Sequence, residues 1–164
     1  MQIRTLRPDE AGLHRDVRLR ALRDAPDSFG GTIDVEESHP MAYWENQTRA
    51  VTEPGRNVMF VACDGADIHG MIYGLRDRER SDGARLGGMW VDPAVRRQGL
   101  GRQLMGAVFD WAREQDLKAI GLWAPAQVPA ALAFYGRMGF HETGGRGPLR
   151  AGSDLGIIEL SRDV

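Results

Sequence analysis

The stretch from Met89 to Leu104 limits the possible folds of this chain more than any other. A short apolar run, Met89–Val91, meets a turn at Asp92 and Pro93. An Arg- and Gly-rich loop follows, then a helical pattern with Leu100, Leu104, Val108 and Trp111 on one face. The order is strand, loop, helix over 84–114. Gly99 and Gly101 let the backbone come close to a ligand and expose its N–H groups. A helix N-terminus has unpaired donors and a positive dipole end, which suits phosphate. Arg96, Arg97 and Arg102 add charge and forked donors. The chemistry implied is a polyanion, most simply a pyrophosphate.

Two familiar phosphate loops are excluded. A Walker loop ends in Gly-Lys-Ser/Thr, whereas Arg102 and Gln103 follow Gly101. A dinucleotide fingerprint needs a third glycine or alanine at position 104 and an acid about 20 residues on. Leu104 stands at the first place and Ile120 with apolar neighbours at the second.

Arg96, Arg97, Gln98, Gly99, Leu100 and Gly101 do match the pattern Arg/Gln-x-x-Gly-x-Gly/Ala. Some thirty residues later, Ala131, Phe134, Tyr135, Gly139 and Phe140 match Ala-x-x-Phe-Tyr-x-x-x-Gly-Phe. Two motifs in this order resemble the Gcn5-related N-acetyltransferases (GNAT), over residues 84–142.

The resemblance implies acetyl-CoA as cosubstrate, with its pyrophosphate on the 96–102 loop. It implies that backbone N–H groups at Met89 or Val91 polarise the thioester carbonyl. Tyr135 would be the general acid, because a phenol of ordinary pKa near 10 keeps its proton at neutral pH. Phe134 stands beside Tyr135 to meet the cofactor, and Arg137, one turn from Phe134, could reach either the cofactor or solvent. Members often carry an asparagine seven residues before the tyrosine, and here Val128 stands there. The strand that often supplies a glutamate base offers Arg85 and no acid. Glu36, Glu37, Asp77, Glu79 and His69 are candidates that no spacing supports, each also readable as a surface residue. The acceptor is expected against residues 24–50 and the 143–153 loop, with Phe29 and Trp44 lining its pocket. It would be a small-molecule or peptide amine. Homodimers are common in such a family.

The rest of the chain fits this frame. Strands are predicted at 3–6, 57–63, 68–76, 84–91, 119–124, 140–143 and 155–160, and helices at 8–24, 40–50, 99–114 and 130–138. Residues 26–39 and 143–153 read as loops. Gly87 and Gly88 inside a strand suggest a bulge. Hairpin-linked strands come first and βα units later. That order predicts an α/β (α+β) fold: a mixed, mostly antiparallel sheet of six to seven strands with helices on both faces. With 164 residues the chain suits one domain, 1–164.

A net charge of −2 gives no basic footprint for nucleic acid. No stretch suggests a membrane span or signal peptide, so a cytoplasmic protein is expected. The histidines and the lone Cys63 show no metal-ligand spacing. Cys63, in an apolar run, reads as a buried small hydrophobe. No cysteine lies in either motif, so direct attack by the amine in a ternary complex is expected for an acetyltransferase. A non-catalytic acyl-CoA-binding module is the alternative, and a nucleotide-binding domain is disfavoured by the loop.

Overall fold

The computed structural model describes residues 1–164. Seven strands form one sheet in the order β1-β2-β3-β4-β5-β7-β6. These are β1 (Gln2–Thr5), β2 (Asn57–Asp64), β3 (Asp67–Arg76), β4 (Gly83–Val91), β5 (Ala119–Pro125), β6 (His141–Pro148) and β7 (Gly156–Asp163). Only β4 and β5 pair in parallel. The helices are α1 (Ala11–Asp24), α2 (Ile33–Ser38), α3 (Met41–Val51), α4 (Leu100–Glu114) and α5 (Pro129–Arg137). This is the predicted mixed sheet, at the upper end of the predicted strand count. No helix is long and apolar enough to cross a membrane.

The sheet separates two cores. On β2, Val58 and Ala62 join one, while Met59, Val61 and Cys63 join the other. This period-2 division makes the strand an apolar run, because both of its faces are buried. The first core packs α4 and α5 against the sheet; the second packs α1 and α3. In α4, Leu104, Met105, Val108 and Ala112 have no exposed surface. Each of the three larger side chains stabilises the fold by about 1.5–3 kcal/mol.

Two loops prove to be regular structure. Residues 26–39 hold a 3-10 turn at Pro26–Ser28 and the short α2. No residue of α2 is buried, so it leaves no apolar period in the sequence. The predicted 140–143 strand extends as β6 to Pro148, through Gly144, Gly145 and Gly147. It is the sheet's last strand and largely exposed, so neither face imposes alternation; pairing with β7 holds it, with an irregularity between Glu142 and Arg146.

His14, only 7% exposed, packs edge-on against Trp44 of the second core. Thr48 donates its hydroxyl proton to the Trp44 carbonyl at 2.7 Å. It therefore accepts from His14 Nδ1 at 2.9 Å, which sets the tautomer. Burial, assisted by the Arg18 charge, lowers the His14 pKa to about 4. The unfolded chain thus binds a proton first as pH falls through 6.5. The stability from neutral His14 is full above that pH and is lost towards pH 4, about 3 kcal/mol in all. Thermal denaturation should give a midpoint on the order of 10 °C lower at pH 4 than at pH 7. His14→Gln should flatten that slope; equal slopes would remove His14 as the cause.

Candidate active site

β4 and β5 pair at only three positions, Gly83–Ala119, Ala84–Ile120 and Arg85–Gly121. Beyond Arg85 they diverge. On the other side of β4, Tyr73 faces Gly87 and Met71 faces Trp90. Ile72 therefore stands opposite two residues, Gly88 and Met89, and Gly88 takes φ +62°. This is the bulge expected from the glycine pair. The result is a wedge-shaped gap bounded by backbone groups that no neighbouring strand satisfies.

A cleft of about 690 Å³ fills the α4–α5 side of this gap. Its walls include Met89 and Val91 of β4, Arg96, Arg97, Gly99, Leu100 and Gly101 of the first motif, and Arg102 just after it. The second motif contributes Phe134, Tyr135 and Arg137. Phe29 reaches it from the loop after α1. Gln98 does not line the cleft, and neither does Trp44. Trp44 is 2% exposed and packs edge-on against His14 in the second core. Its large ring serves the interior, which takes it out of the acceptor pocket expected from the sequence.

The loop is built for close approach at the α4 N-terminus. Gly99 caps the helix at φ +82°, and Arg97 takes the left-handed φ of 63°. A Cβ on Gly101 would lie 3.1 Å from the Met89 side chain and 3.5 Å from the Phe134 ring. Glycine there keeps the helix end, β4 and α5 in contact around the cleft.

The arginines divide by role. Arg97 and Arg102 are exposed and have no carboxylate partner. Arg96 is engaged: its Nε donates to the Val91 carbonyl at 2.8 Å, and its guanidinium pairs with Asp24. The same Asp24 oxygen accepts from Trp90 Nε1 at 2.9 Å. Asp24, the last residue of α1, thus pins the loop to β4. Arg20, one helical turn earlier, donates to Asp92 at 2.7 Å and to the Ile68 carbonyl at 2.7 Å. The N–H of Ala94 and the Arg20 charge hold the Asp92 carboxyl below the usual range. Neither Asp24 nor Arg20 belongs to a motif. Their partners are distant in sequence, and no local signal marks them.

Tyr135 is 9% exposed. Burial first, then the neighbouring Tyr73, push its pKa up to about 12. Its phenol is fully protonated at neutral pH and can donate into the cleft.

A second cavity, about 670 Å³, lies on the opposite side of the gap. It shares Phe29, Leu86, Gly87, Gly88, Leu122 and Trp123 with the first. Farther out, Arg85 bridges Glu159 at 2.6 Å and Asp77 at 3.0 Å. Thr143 donates to the other Glu159 oxygen at 2.5 Å. Gly121 and Gly145 make room: a Cβ at either would come within 2.8 Å of Arg85 or Glu159 respectively. Asp77 was readable as a surface acid, but its side chain is only 9% exposed. Its carboxyl, like that of Glu159, is held below the ordinary range. For Asp77, hydrogen bonding from the Glu79 N–H and the Arg85 charge overcome burial. For Glu159 the Thr143 and Arg85 bonds dominate. Glu36 is also withdrawn from the surface, taking two bonds from Arg18 at 2.7 and 2.8 Å. Glu79 lines the cavity, whereas Glu37 pairs with Arg23 and His69 sits beside Asp92.

The chain is similar to known proteins in sequence and in fold. The family model for the acetyltransferase (GNAT) family matches residues 19–140. An uncharacterized N-acetyltransferase of Methanocaldococcus jannaschii is 31% identical over 88 residues, covering 54% of this chain and 36% of that protein. The chain thus spans about a third of that relative's length. YjgM of Escherichia coli, also named an uncharacterized N-acetyltransferase, is 26% identical over 121 residues, covering 74% of this chain and 72% of that protein. Among solved structures, the ribosomal-protein-alanine N-acetyltransferase of Brucella melitensis superposes with a TM-score of 0.76 at 18% identity, covering 100% of both chains. YncA of Salmonella typhimurium, solved with its cofactor acetyl-CoA, gives 0.79 at 17% identity, covering 99% of this chain and 93% of that one. At these identities the structural likeness is one of fold.

Proposed function

Because the chain belongs to the acetyltransferase (GNAT) family, we propose that it moves the acetyl group of acetyl-CoA to a primary amine by direct attack in a ternary complex. One observation carries this reading: two cavities meet at the gap between β4 and β5, one lined by the phosphate-type loop and Tyr135, the other open to an acceptor.

In this reading the α4 N-terminus, Arg97 and Arg102 bind the pyrophosphate. Arg96 shapes the loop through Asp24 and Val91. Backbone N–H groups at the bulge, near Met89 and Val91, receive the thioester carbonyl and stabilise the oxyanion as it forms. Phe134 and Met89 wall the acyl-bearing arm from water, and Arg137 guards the cleft's rim. Tyr135 hydrogen-bonds the departing sulfur and gives it a proton. Its raised pKa suits this task, since the same burial makes the departing thiolate more basic.

Direct attack is supported by where the only cysteine lies. Cys63 is 5% exposed in the second core, on β2, and lines neither cavity. An acetyl-enzyme thioester therefore has no nucleophile at the gap. Initial-rate plots against acetyl-CoA at several acceptor concentrations should intersect; parallel lines would exclude the ternary complex.

Calorimetric titration with acetyl-CoA tests the reading most directly. The wild type should bind, and Gly101→Trp should not, because its side chain would occupy the space between Met89 and Phe134. Absence of binding to folded wild type at millimolar acetyl-CoA would end the proposal.

A further inference from the structure

The acceptor side of the gap carries a second phenol that no motif assigns. Tyr73 lies on β3 directly across from Gly87. Its ring covers both bulge glycines. A Cβ on Gly87 would stand 2.6 Å from the Tyr73 hydroxyl, and one on Gly88 would stand 2.5 Å from the ring. The glycine pair therefore does two things: it makes the bulge, and it seats this ring on it. Any side chain at either position would displace the ring.

Tyr73 lines the second cavity and not the first. It touches the one stretch of β4, Leu86–Gly88, that both cavities share. Tyr135 faces the same gap from the cofactor side, and the two phenols are near enough for Tyr73 to help raise the Tyr135 pKa. Burial and the Glu36 carboxylate raise the Tyr73 pKa, against the opposing charge of Arg18. Arg18 is itself occupied by Glu36 and stacks over the Phe29 ring at 4.8 Å. The chain gives the Tyr73 hydroxyl no hydrogen-bond partner. The hydroxyl is thus a neutral group with its acceptor lone pairs uncommitted, at the place where an incoming nucleophile meets the gap.

We propose that Tyr73 is an acceptor-contacting catalytic residue, whose hydroxyl oxygen accepts a hydrogen bond from the attacking amine and aims its lone pair at the thioester carbon. The assignment rests on the acetyl-transfer reading above. In the step, the neutral amine nitrogen forms the N–C bond while the carbonyl π pair moves to oxygen. Collapse of that intermediate breaks the C–S bond. The thiolate takes the Tyr135 proton, the nitrogen releases its extra proton to solvent through the open acceptor cavity, and Tyr135 regains a proton from solvent. Tyr73 keeps its own proton throughout, as its raised pKa requires. Its effect is orientation, which a near-attack geometry rewards.

Hydroxylamine is a suitable probe, since it is small enough to reach the gap without a recognition pocket. Tyr73→Phe keeps the ring on the glycine seat and removes only the hydroxyl. Turnover of hydroxylamine with acetyl-CoA should fall about tenfold, the scale of one lost hydrogen bond. Acetyl-CoA affinity by calorimetry and the thermal midpoint should stay at wild-type values. Turnover within twofold of wild type, while Tyr135→Phe slows the same reaction, would overturn the role of Tyr73 and leave acetyl transfer standing. A matching loss of acetyl-CoA affinity would also overturn it, because Tyr73 lies outside the cofactor cleft. Failure of the wild type to bind acetyl-CoA would overturn both.

Discussion

Tyr135→Phe is expected to lower kcat by about a hundredfold to ten-thousandfold, the range of a lost general acid. The expected acetyl-CoA affinity is unchanged, because the phenyl ring keeps its packing against Phe134 and Phe140, at 5.6 and 5.9 Å between ring centroids. The variant should fold as the wild type does, since no bond within the chain holds the hydroxyl and the ring supplies the burial. Thiol release under saturating acetyl-CoA, with calorimetric binding beside it, separates the outcomes. A drop in kcat with constant affinity is what a group acting only on the departing sulfur would give. Undiminished kcat would reduce Tyr135 to a core residue at the cleft wall. The pH profile adds a second check. With a pKa near 12, the Tyr135 acid should hold its rate through pH 9, and an alkaline decline below that would have to come from another group.

Arg97→Gly combined with Arg102→Ala should weaken acetyl-CoA binding on the order of a hundredfold. Each exposed guanidinium is expected to contribute about tenfold through charge-assisted bonds to phosphate. Glycine is the informative replacement at 97, because the backbone there has φ 63° and glycine adopts it without strain. Any loss then belongs to the guanidinium. The remaining affinity should depend less steeply on salt than that of the wild type, since the screened charges are gone. Arg96→Ala makes the contrast. Arg96 is held by Asp24 and the Val91 carbonyl, so its removal disturbs the loop's seat and should leave the salt dependence largely in place. A double variant that binds as well as the wild type would move the anion site elsewhere.

The cofactor half of the site is legible in the sequence because it is local. The loop, the cap glycine and the second motif each lie within a dozen residues, and phosphate-type loops depend on consecutive backbone groups. The bulge at Gly87 and Gly88 is legible for the same reason. The acceptor half is not. Arg85 and Glu159 are 74 residues apart, and on the cofactor side the ion pair that seats the loop, Asp24 with Arg96, spans 72. Each pair exists only because the sheet order places β4 near β7, or the α1 C-terminus beside the loop. Trp44 shows the opposite limit: an aromatic residue near a predicted pocket reads as lining, but only packing decides whether its ring faces the pocket or the core. Tyr73 escapes for want of a motif, although the glycine pair opposite it is its seat.

The three-residue seam between β4 and β5 also bears on how the molecule holds together. It divides the sheet into two panels, β1–β4 and β5-β7-β6, whose shared backbone boundary is mostly unstitched. The first core, reaching from Val58 and Ile72 to Leu122 and Leu160, is the main mortar between them. A bound molecule lying along the gap would act as the missing strand. It should slow amide hydrogen exchange on both facing edges at once, and it should stiffen the far panel, including the exposed β6, at a distance from any direct contact.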